Sequence, residues 1–475
     1  MVGVAATRTE STDGAMGSAS TGRAIGLGIL AALAGLMFGL DTGVVAGALP
    51  FIATDFHIPA RTEEWIVSSM MAGAAFGSLV AGSISARFGR TGAMLGSALL
   101  FLAGTAACAL APSPAFLIGG RLVLGLAVGV AAFAAPLYIS EITVESARGA
   151  MISFYQLMVS FGIFAAFVSD SLLASGGHWR WMLGVMAVPA TLFLLGVLFL
   201  PHTPRWLMMQ GRTERARSVL RMLRTDNDVA ESELQEIQAR LNQDSHKGFA
   251  LFRSSGNFRR SVLLGMVLQV MQQLTGINVL MYYAPRVFQA AHFGTSAAVW
   301  ATTLVGLTNM ALTGVAIVFV DRWGRRPLLV LSCLIAAISM AGVGVLLLSG
   351  AQSFSTQLAL VGFVLLFVAG FAIGEGPLVW TLCSEVQPTR GRDFGIGCST
   401  VTNWAANWLV SNTFLTLMAA LGSAHTFLLF ALLNGLFIVV TVLFVPETRG
   451  VSLETIEARL FAGKRLRDLG QTNAR

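Results

Sequence analysis

An acidic residue lies inside a long apolar stretch near the start of the chain. Asp41 is surrounded in sequence by Leu36, Leu40 and Val44. A carboxylate at the depth of a bilayer costs several kcal/mol unless it is paired, hydrated or protonated. Asp41 is therefore a candidate for binding and releasing a proton. Arg121, in a later apolar stretch, is its natural partner, and a static structural ion pair is the alternative interpretation.

Amide side chains form a second group that could do chemistry. Gln269, Gln272 and Gln273 are spaced three and four residues apart, so they share one face of a helix. Gly276 then loosens the helix, and Asn278 follows it. Amides both donate and accept hydrogen bonds, as the hydroxyls of a neutral polyol do. The pattern predicts a polyol site, and amides that hold helices together are the alternative, which fits Gln269 best.

A second acidic residue, Glu375, lies in the sequence Gly-Glu-Gly-Pro at residues 374–377. Glycine and proline together break or bend a membrane helix. The residue types leave three alternatives for Glu375: a second protonatable group, an extra acceptor for a hydroxyl, or a paired structural carboxylate.

The elements that carry these side chains are predicted to be membrane-spanning helices. The chain has 475 residues, of which 55% are hydrophobic and 12% charged, and its mean hydropathy is +0.73. No soluble domain of this size needs so much apolar surface, so we predict an all-α membrane protein. Hydropathy predicts twelve spans of membrane length. They lie at about 24–48, 65–86, 92–111, 115–139, 151–173, 181–200, 261–290, 298–320, 327–348, 358–384, 394–420 and 426–445.

Polar loop motifs occur twice in the chain. Glu141 and Arg148 recur 244 residues later as Glu385 and Arg392. The sequence Arg-Phe-Gly-Arg at 87–90 likewise recurs as Arg-Trp-Gly-Arg at 322–325. Such a duplication predicts two pseudo-symmetric six-helix halves, which is the architecture of an alternating-access transporter with its site between the halves.

The charged motifs are predicted to be gating parts. We expect Glu141 and Arg148 to pair with Arg322 or Arg325, and Glu385 to pair with Arg87 or Arg90, when one side of the bundle closes. A solvated charged rim is the alternative. The full predicted gating set is Glu141, Arg148, Arg87, Arg90, Asp321, Arg322, Arg325, Glu385 and Arg392.

The predicted organisation follows from the spans. Residues 1–22 form a disordered tail, 23–200 the first half, 201–258 a helical linker, 259–446 the second half, and 447–475 a helix and tail. The net charge of +7 comes mostly from basic residues in alternate loops, so it does not indicate a nucleic-acid partner. This positive-inside bias predicts that both termini are cytoplasmic. The four cysteines lack metal-ligand spacing and are interpreted as packing residues.

Several motifs resemble one family in combination. They are Asp-Arg-Trp-Gly-Arg-Arg at 321–326, Pro-Arg-Trp at 204–206, Pro-Glu-Thr at 446–448, and Gln-Gln-x-x-Gly-x-Asn at 272–278. On these motifs the chain resembles the sugar porters of the major facilitator superfamily over residues 24–465. Residues 40–50 and 383–388 make it most similar to the bacterial galactose– and arabinose–proton symporters. It departs from the family pattern at Ala86 and His202, where acidic residues are usual.

The resemblance implies roles for individual residues. Asp41 and Arg121 match the proton-coupling pair of the sugar symporters. The positions that match the sugar site, together with neighbours expected to line it, are Phe38, Gln156, Gln272, Gln273, Asn278, Tyr283, Asn309, Trp380, Asn403 and Trp404. An indole can stack on the C–H face of a sugar while its N–H binds a hydroxyl.

The predicted function is import of a monosaccharide with a proton across the inner membrane of a bacterium, with galactose, arabinose or glucose as the substrate. A uniporter of the same fold is the first alternative, and Asp41 favours the symporter. A sugar sensor is the second, and the short stretch after the last span disfavours it. No nucleotide-binding loop, nucleophile–histidine pair or metal-spaced cluster is present in the sequence, so we predict neither an enzyme nor a cofactor. We expect a monomer.

Overall fold

The computed structural model describes residues 9–224, 226–243, 248–350, 353–388 and 390–470, and no strand occurs among them. The first half contains six helices: α1 (Thr9–Phe56), α2 (Ala60–Ala109), α3 (Pro114–Ile142), α4 (Glu145–Leu173), α5 (Trp179–Gly184) and α6 (Ala187–Leu198). Helix α2 holds the second and third predicted spans, which meet at Gly89, where φ is +81°. Helices α5 and α6 together make the sixth span.

Helix α1 begins at Thr9 and so includes residues 9–22 of the predicted disordered tail. Once the first span has formed a helix, each added residue gains a hydrogen bond without a new nucleation cost. The helix therefore extends beyond the apolar stretch that hydropathy detects. Residues 1–8 lie outside the described part of the chain.

Four short helices join the two halves: α7 (Pro204–Met209), α8 (Thr213–Leu223), α9 (Asn227–Gln243) and α10 (Gly248–Ser254). Ala216 and Leu220 on α8 are buried together with Leu234 on α9, as expected for amphipathic linker helices. We call the end of the bundle that carries this linker the linker face. The other end is called the opposite face.

The second half contains nine helices in the described residues. They are α11 (Gly256–Leu274), α12 (Ile277–Ala290), α13 (Thr295–Trp323), α14 (Arg325–Leu348), α15 (Phe354–Ile373), α16 (Glu375–Glu385), α17 (Arg392–Ser411), α18 (Phe414–Leu421) and α19 (Ser423–Phe444). Helix α20 (Leu453–Phe461) follows the last span.

Ten helical stretches in the described residues are long and apolar enough to cross a membrane. One of them is α2, which holds two spans, so eleven of the twelve predicted spans are covered. The remaining span, formed by α17 and α18, contains Asn403, Asn407 and Asn412, which lower its hydropathy. The twelve-helix fold is therefore confirmed.

Two of these spans are broken at a glycine, and the breaks position polar groups inside the bundle. Gly276 separates α11 from α12 with φ at +93°, a conformation that favours glycine. A Cβ atom at this position would also lie 3.1 Å from the ring of Phe430. Gly374 separates α15 from α16 with φ −127° and ψ −71°.

Close packing between α2 and α3 fixes the helix that carries Arg121. A Cβ atom added at Gly73 would lie 3.1 Å from the Cα of Gly125, and one at Gly77 would lie 3.2 Å from the Cα of Gly129. Gly73-x-x-x-Gly77 and Gly125-x-x-x-Gly129 therefore face each other, with the small-residue spacing that lets two helices pack closely.

Candidate functional site

The predicted ion pair forms in the interior of the first half. The Nη1 atom of Arg121 on α3 lies 2.5 Å from Oδ1 of Asp41 on α1, and both side chains are fully buried. One carboxylate oxygen of Asp41 and two guanidinium nitrogens of Arg121 have no hydrogen-bond partner among the described residues. A buried pair with so many unmet hydrogen bonds is poorly compensated for its desolvation, which suits a group that changes its protonation state.

The predicted amides meet in the second half. Asn403 on α17 donates its Nδ2 hydrogens to Oε1 of Gln269, at 2.6 Å, and to Oε1 of Gln272, at 3.1 Å. The Nδ2 of Asn278 donates to Oε1 of Gln273 at 2.6 Å. The Nε2 of Gln273 lies 3.5 Å from Oε1 of Gln272, so these five side chains form one amide cluster on α11, α12 and α17. Gln269, which the alternative of amides that hold helices together fitted best, belongs to the same cluster.

The break before α16 anchors this cluster. The Nε2 of Gln272 donates to the backbone carbonyl of Glu375 at 2.8 Å. Glu375 is the first residue of α16, directly after the irregular backbone at Gly374. The orientation of Gln272 thus depends on the geometry of the break.

Other predicted sugar-site residues lie around the cluster or between the halves. Asn309 is buried on α13, one turn from Thr313, whose hydroxyl accepts a hydrogen bond from Ser160 of the first half at 3.1 Å. Gln156 is exposed and lies one turn before Ser160 on α4, so both residues face the second half. Trp380 on α16 is 41% exposed, which leaves its ring available for stacking.

Tyr283 has a different environment from the amides. Its side chain is fully buried, and its hydroxyl donates to the backbone carbonyl of Ser411 at 2.9 Å. Its ring lies 5.2 Å from the ring of Phe414. The structure does not bring Tyr283 into the amide cluster, and it holds α12 against the junction of α17 and α18.

Two contacts join α1, which carries Asp41, to α12 and α17, which carry members of the amide cluster. The ring centroids of Phe38 on α1 and Trp404 on α17 are 5.6 Å apart. The hydroxyl of Tyr282 lies beside the side chain of Thr42, the residue next to Asp41, and accepts from Nδ2 of Asn407 at 3.5 Å. A change at Asp41 therefore has a short packed route to α12 and α17.

Sequence reasoning missed a set of contacts that joins the halves at the opposite face. Arg286 on α12 donates to both carboxylate oxygens of Glu63 on α2, the shortest distance being 2.7 Å. Glu64 accepts from the backbone N–H of Thr416 at 2.7 Å and from its hydroxyl at 2.8 Å. Charged residues at helix ends usually lie in water, so their presence does not indicate a contact between the halves. The only signal for this contact in the sequence was the acidic pair at the start of α2.

The predicted gating residues at the linker face pair differently. Arg90 contacts Glu141 at 2.8 Å, and Arg325 contacts Glu385 at 3.2 Å, so each pair lies within one half. The expected pair of Glu141 with Arg322 involves a side chain outside the described residues and stays a prediction. The repeat is nevertheless kept, since the two contacts are pseudo-symmetric equivalents.

The remaining gating predictions are distributed along the same face. Arg87 is exposed over the ring of Phe88, Arg148 is exposed, and Arg392 donates to the backbone carbonyl of Gln387 at 3.2 Å. The side chains of Asp321 and Arg322 lie outside the described residues.

The two halves differ in the loop that follows the last span of each half. This loop carries Pro-Arg-Trp at 204–206 in the first half and Pro-Glu-Thr at 446–448 in the second. In the second half, Glu447 accepts hydrogen bonds at 3.0 Å from the backbone N–H groups of Arg325 and Arg326, which begin α14. In the first half, His202 stacks on Trp206 and lies next to Gly89. Burial lowers the pKa of His202, and the nearby Arg212 and Arg215 add to this effect.

The arrangement can bind a neutral polyol and a proton between two halves. The described residues contain no group of three or more histidine, cysteine or carboxylate side chains that could hold a metal ion. Cavities of about 730 Å³ at the linker face and about 720 Å³ at the opposite face contain none of the cluster amides. The side-chain chemistry, and not cavity size, therefore identifies the site.

Comparisons with known proteins show the family of the chain. The family model described as "Sugar (and other) transporter" matches residues 27–460. The chain is 52% identical to the galactose-proton symporter of Escherichia coli K12 over 93% of its length and 95% of that protein's. It is 48% identical to the arabinose-proton symporter of the same strain, over 93% and 94% of the two chains.

Solved structures give the same result for the fold. A partially occluded, inward-open conformation of the xylose transporter XylE from E. coli matches with a TM-score of 0.80, 28% identity, and coverage of 90% and 99% of the two chains. The proton:xylose symporter XylE bound to 6-bromo-6-deoxy-D-glucose matches with a TM-score of 0.77, 30% identity, and coverage of 92% and 98%.

Proposed function

We propose that this chain, which belongs to the sugar transporter family of the major facilitator superfamily, is a proton-coupled monosaccharide symporter that works by alternating access. The single observation that carries the proposal is the buried Asp41–Arg121 pair, connected through Thr42 and Tyr282 to Asn407 on α17, the helix that also carries Asn403 of the amide cluster. A uniporter has no use for a buried carboxylate that exchanges a proton. The relatives named as galactose- and arabinose-proton symporters support the same assignment.

Asp41 is the proton-binding group in this proposal. When its carboxylate takes up a proton, the charge that holds Arg121 is lost, and the guanidinium must find other partners. The movement of α1 against α3 reaches α12 through the contact of Thr42 with Tyr282. Proton binding therefore biases the equilibrium between two arrangements of the halves.

The amide cluster binds the sugar. The amides of Gln272, Gln273 and Asn403 already exchange hydrogen bonds with one another, so sugar hydroxyls can replace those partners without leaving buried groups unpaired. Trp380 and Trp404 offer aromatic faces for the C–H side of the ring. The substrate is a hexose or a pentose, and galactose, arabinose and glucose are the first sugars to test.

The orientation follows from the charge of the loops. Basic residues are concentrated at the linker face, so we assign this face, with both termini, to the cytoplasm. The inter-half contacts of Glu63 and Glu64 close the opposite, periplasmic face. The structure then corresponds to an inward-facing state of a monomer, since one chain carries both the proton pair and the amide cluster.

The test is sugar-induced proton uptake. Each candidate sugar is added to energy-depleted cells that express the protein, and the external pH is recorded. We expect alkalinisation with the substrate, and we expect Asp41→Asn to abolish it while sugar exchange persists. A sugar that enters without any pH change in wild-type cells would contradict the symporter and favour a uniporter.

A further inference from the structure

Glu375 occupies an unusual position for a carboxylic acid. It is the first residue of α16, directly after the break at Gly374, and it is fully buried. Its backbone N–H donates to the hydroxyl of Ser332 on α14 at 3.0 Å, and that hydroxyl donates to the carbonyl of Gly370 at 2.7 Å. Its backbone carbonyl accepts from the sugar-site residue Gln272. The backbone N–H and carbonyl of Glu375 thus connect Ser332 on α14 to Gln272 of the amide cluster.

The carboxyl group points away from that cluster. It lies beside the thiol of Cys333 on α14, whereas the carbonyl of the same residue faces α11. Helix α14 packs against α15 and α19, within the second half. The carboxyl group is therefore poorly placed to accept a sugar hydroxyl.

The surroundings provide no charge to pair with the carboxyl group. Neither of its oxygens has a hydrogen-bond partner in the part of the chain that the structure describes. Among the helices packed against it, α14 contributes Cys333, a weak donor, and α15 has no ionisable side chain. The nearby polar groups of α11 and α17 are the neutral amides Gln272 and Asn403. A paired structural carboxylate does not fit this environment.

A protonated carboxyl group does fit. An ionised carboxylate without partners in an apolar interior costs several kcal/mol, and protonation removes that cost. We propose that Glu375 is a second proton-binding site, located in the sugar-binding half. Its protonation supports sugar binding through its backbone carbonyl, which accepts a hydrogen bond from Gln272. The inference rests on the proposed function, because it assigns the group a role in sugar transport.

The coupling follows from the geometry of the break. When the carboxyl group loses its proton, the new charge must reach water or a polar partner, which requires the backbone around Gly374 to move. That movement displaces the carbonyl that orients Gln272, so the cluster is arranged for sugar only in the protonated state. By linkage, sugar binding must strengthen proton binding by the same factor.

The test measures sugar affinity against pH in purified protein. Asp41→Asn serves as the background, since it removes the titration of the first-half pair. Galactose or arabinose, whichever causes alkalinisation with the wild-type protein, is titrated by calorimetry between about pH 6 and about pH 9. With Glu375 present, we expect Kd to rise by up to about tenfold per pH unit once the carboxyl group ionises. In Asp41→Asn/Glu375→Gln, Kd should be independent of pH.

Asp170→Asn in the same background is the matched control. Asp170 is also fully buried, with one oxygen unpartnered among the described residues, but its other oxygen accepts from Gly47 within the first half. This control should keep the pH dependence that Glu375→Gln removes. If the glutamine variant binds no sugar, Glu375→Ala provides a second neutral side chain, for which we expect the same flat profile.

Infrared difference spectra provide a second measurement. Addition of sugar to the wild-type protein should perturb a carboxylic-acid carbonyl band that Glu375→Gln removes and Asp170→Asn keeps. Identical pH profiles with and without Glu375, or no band assignable to it, would overturn the proposal while leaving the symporter intact. Failure of the proposed function would instead appear as wild-type transport without alkalinisation.

Discussion

The contacts at the opposite face predict the response of the protein to loss of one charge. Replacement of Glu63 by glutamine removes the carboxylate that Arg286 holds with both Nε and Nη2, at 3.1 and 2.7 Å. This pair joins α2 of the first half to α12 of the second, and it exists only while the opposite face is closed. We expect Glu63→Gln to favour the conformation that is open at this face.

The magnitude follows from the burial of the pair. The side chain of Glu63 is 7% exposed and that of Arg286 is 28% exposed, so solvent screens the interaction only in part. Hydrogen bonds to charged groups contribute about 1.5–3 kcal/mol each, and glutamine keeps one weaker acceptor. A net loss of about 2 kcal/mol changes the ratio of the two conformations by about 30-fold.

Distance measurements between spin labels test this prediction. Labels at the exposed residues Ala60 and Ala420 report the separation of the halves at the opposite face. Cys398, the only one of the four cysteines that is not fully buried, is replaced by serine. Glu63→Gln should increase the population of the longer distance in the absence of sugar.

Asp55→Asn is the matched control for this experiment. Asp55 also lies near the opposite face, but it accepts from Trp179 at 3.0 Å and from Arg180 at 3.2 Å, both within the first half. Its loss should leave the distance distribution unchanged. The reasoning is refuted if Glu63→Gln has the wild-type distribution or if Asp55→Asn produces the same shift.

Three further predictions concern other parts of the molecule. Asp41→Asn should abolish accumulation of sugar against a gradient but retain exchange, measured as uptake and counterflow in proteoliposomes, and accumulation by the variant would contradict the role of Asp41. Gln272→Ala should raise the Kd for sugar by about tenfold, from a loss of about 1.4 kcal/mol, measured by calorimetry, and an unchanged Kd would remove Gln272 from the site. Because the pKa of His202 lies below its ordinary value of 6.5, the unfolded chain binds more protons, so stability should fall as the pH decreases below that value. Melting temperatures of His202→Gln should depend less on pH than those of the wild type and of the exposed control His425→Gln, and equal slopes would argue against this account.

Much of the site was predictable from sequence because polar groups are rare inside apolar helices. Asp41, Arg121 and the amides of α11 and α17 each stood out against apolar neighbours, and the structure pairs Asp41 with Arg121 and joins the amides in one cluster. Their roles in coupling and sugar binding stay predictions. The breaks at Gly276 and Gly374 were predictable too, since glycine and proline signal them directly.

The contacts at the opposite face were not predictable in the same way. Glu63, Glu64 and Arg286 lie at helix ends, where charged side chains are ordinary and their partners are distant in sequence. The described partners of Glu141 and Glu385 lie within their own halves, whereas we predicted partners in the other half. A repeat identifies equivalent loops, but the partner that a side chain selects depends on which face of the bundle is closed.

The pairing within each half has a consequence for the movement of the halves. Arg90–Glu141 connects α2 to α3, and Arg325–Glu385 connects α14 to α16, so each contact holds the loops of one half together. These contacts need not break when the halves reorient, because neither crosses between them. The contacts at the opposite face do cross and have no repeat, so they must break. The duplicated motifs therefore make each half a rigid unit, and the non-duplicated contacts of Glu63 and Glu64 set the conformational equilibrium between the two halves.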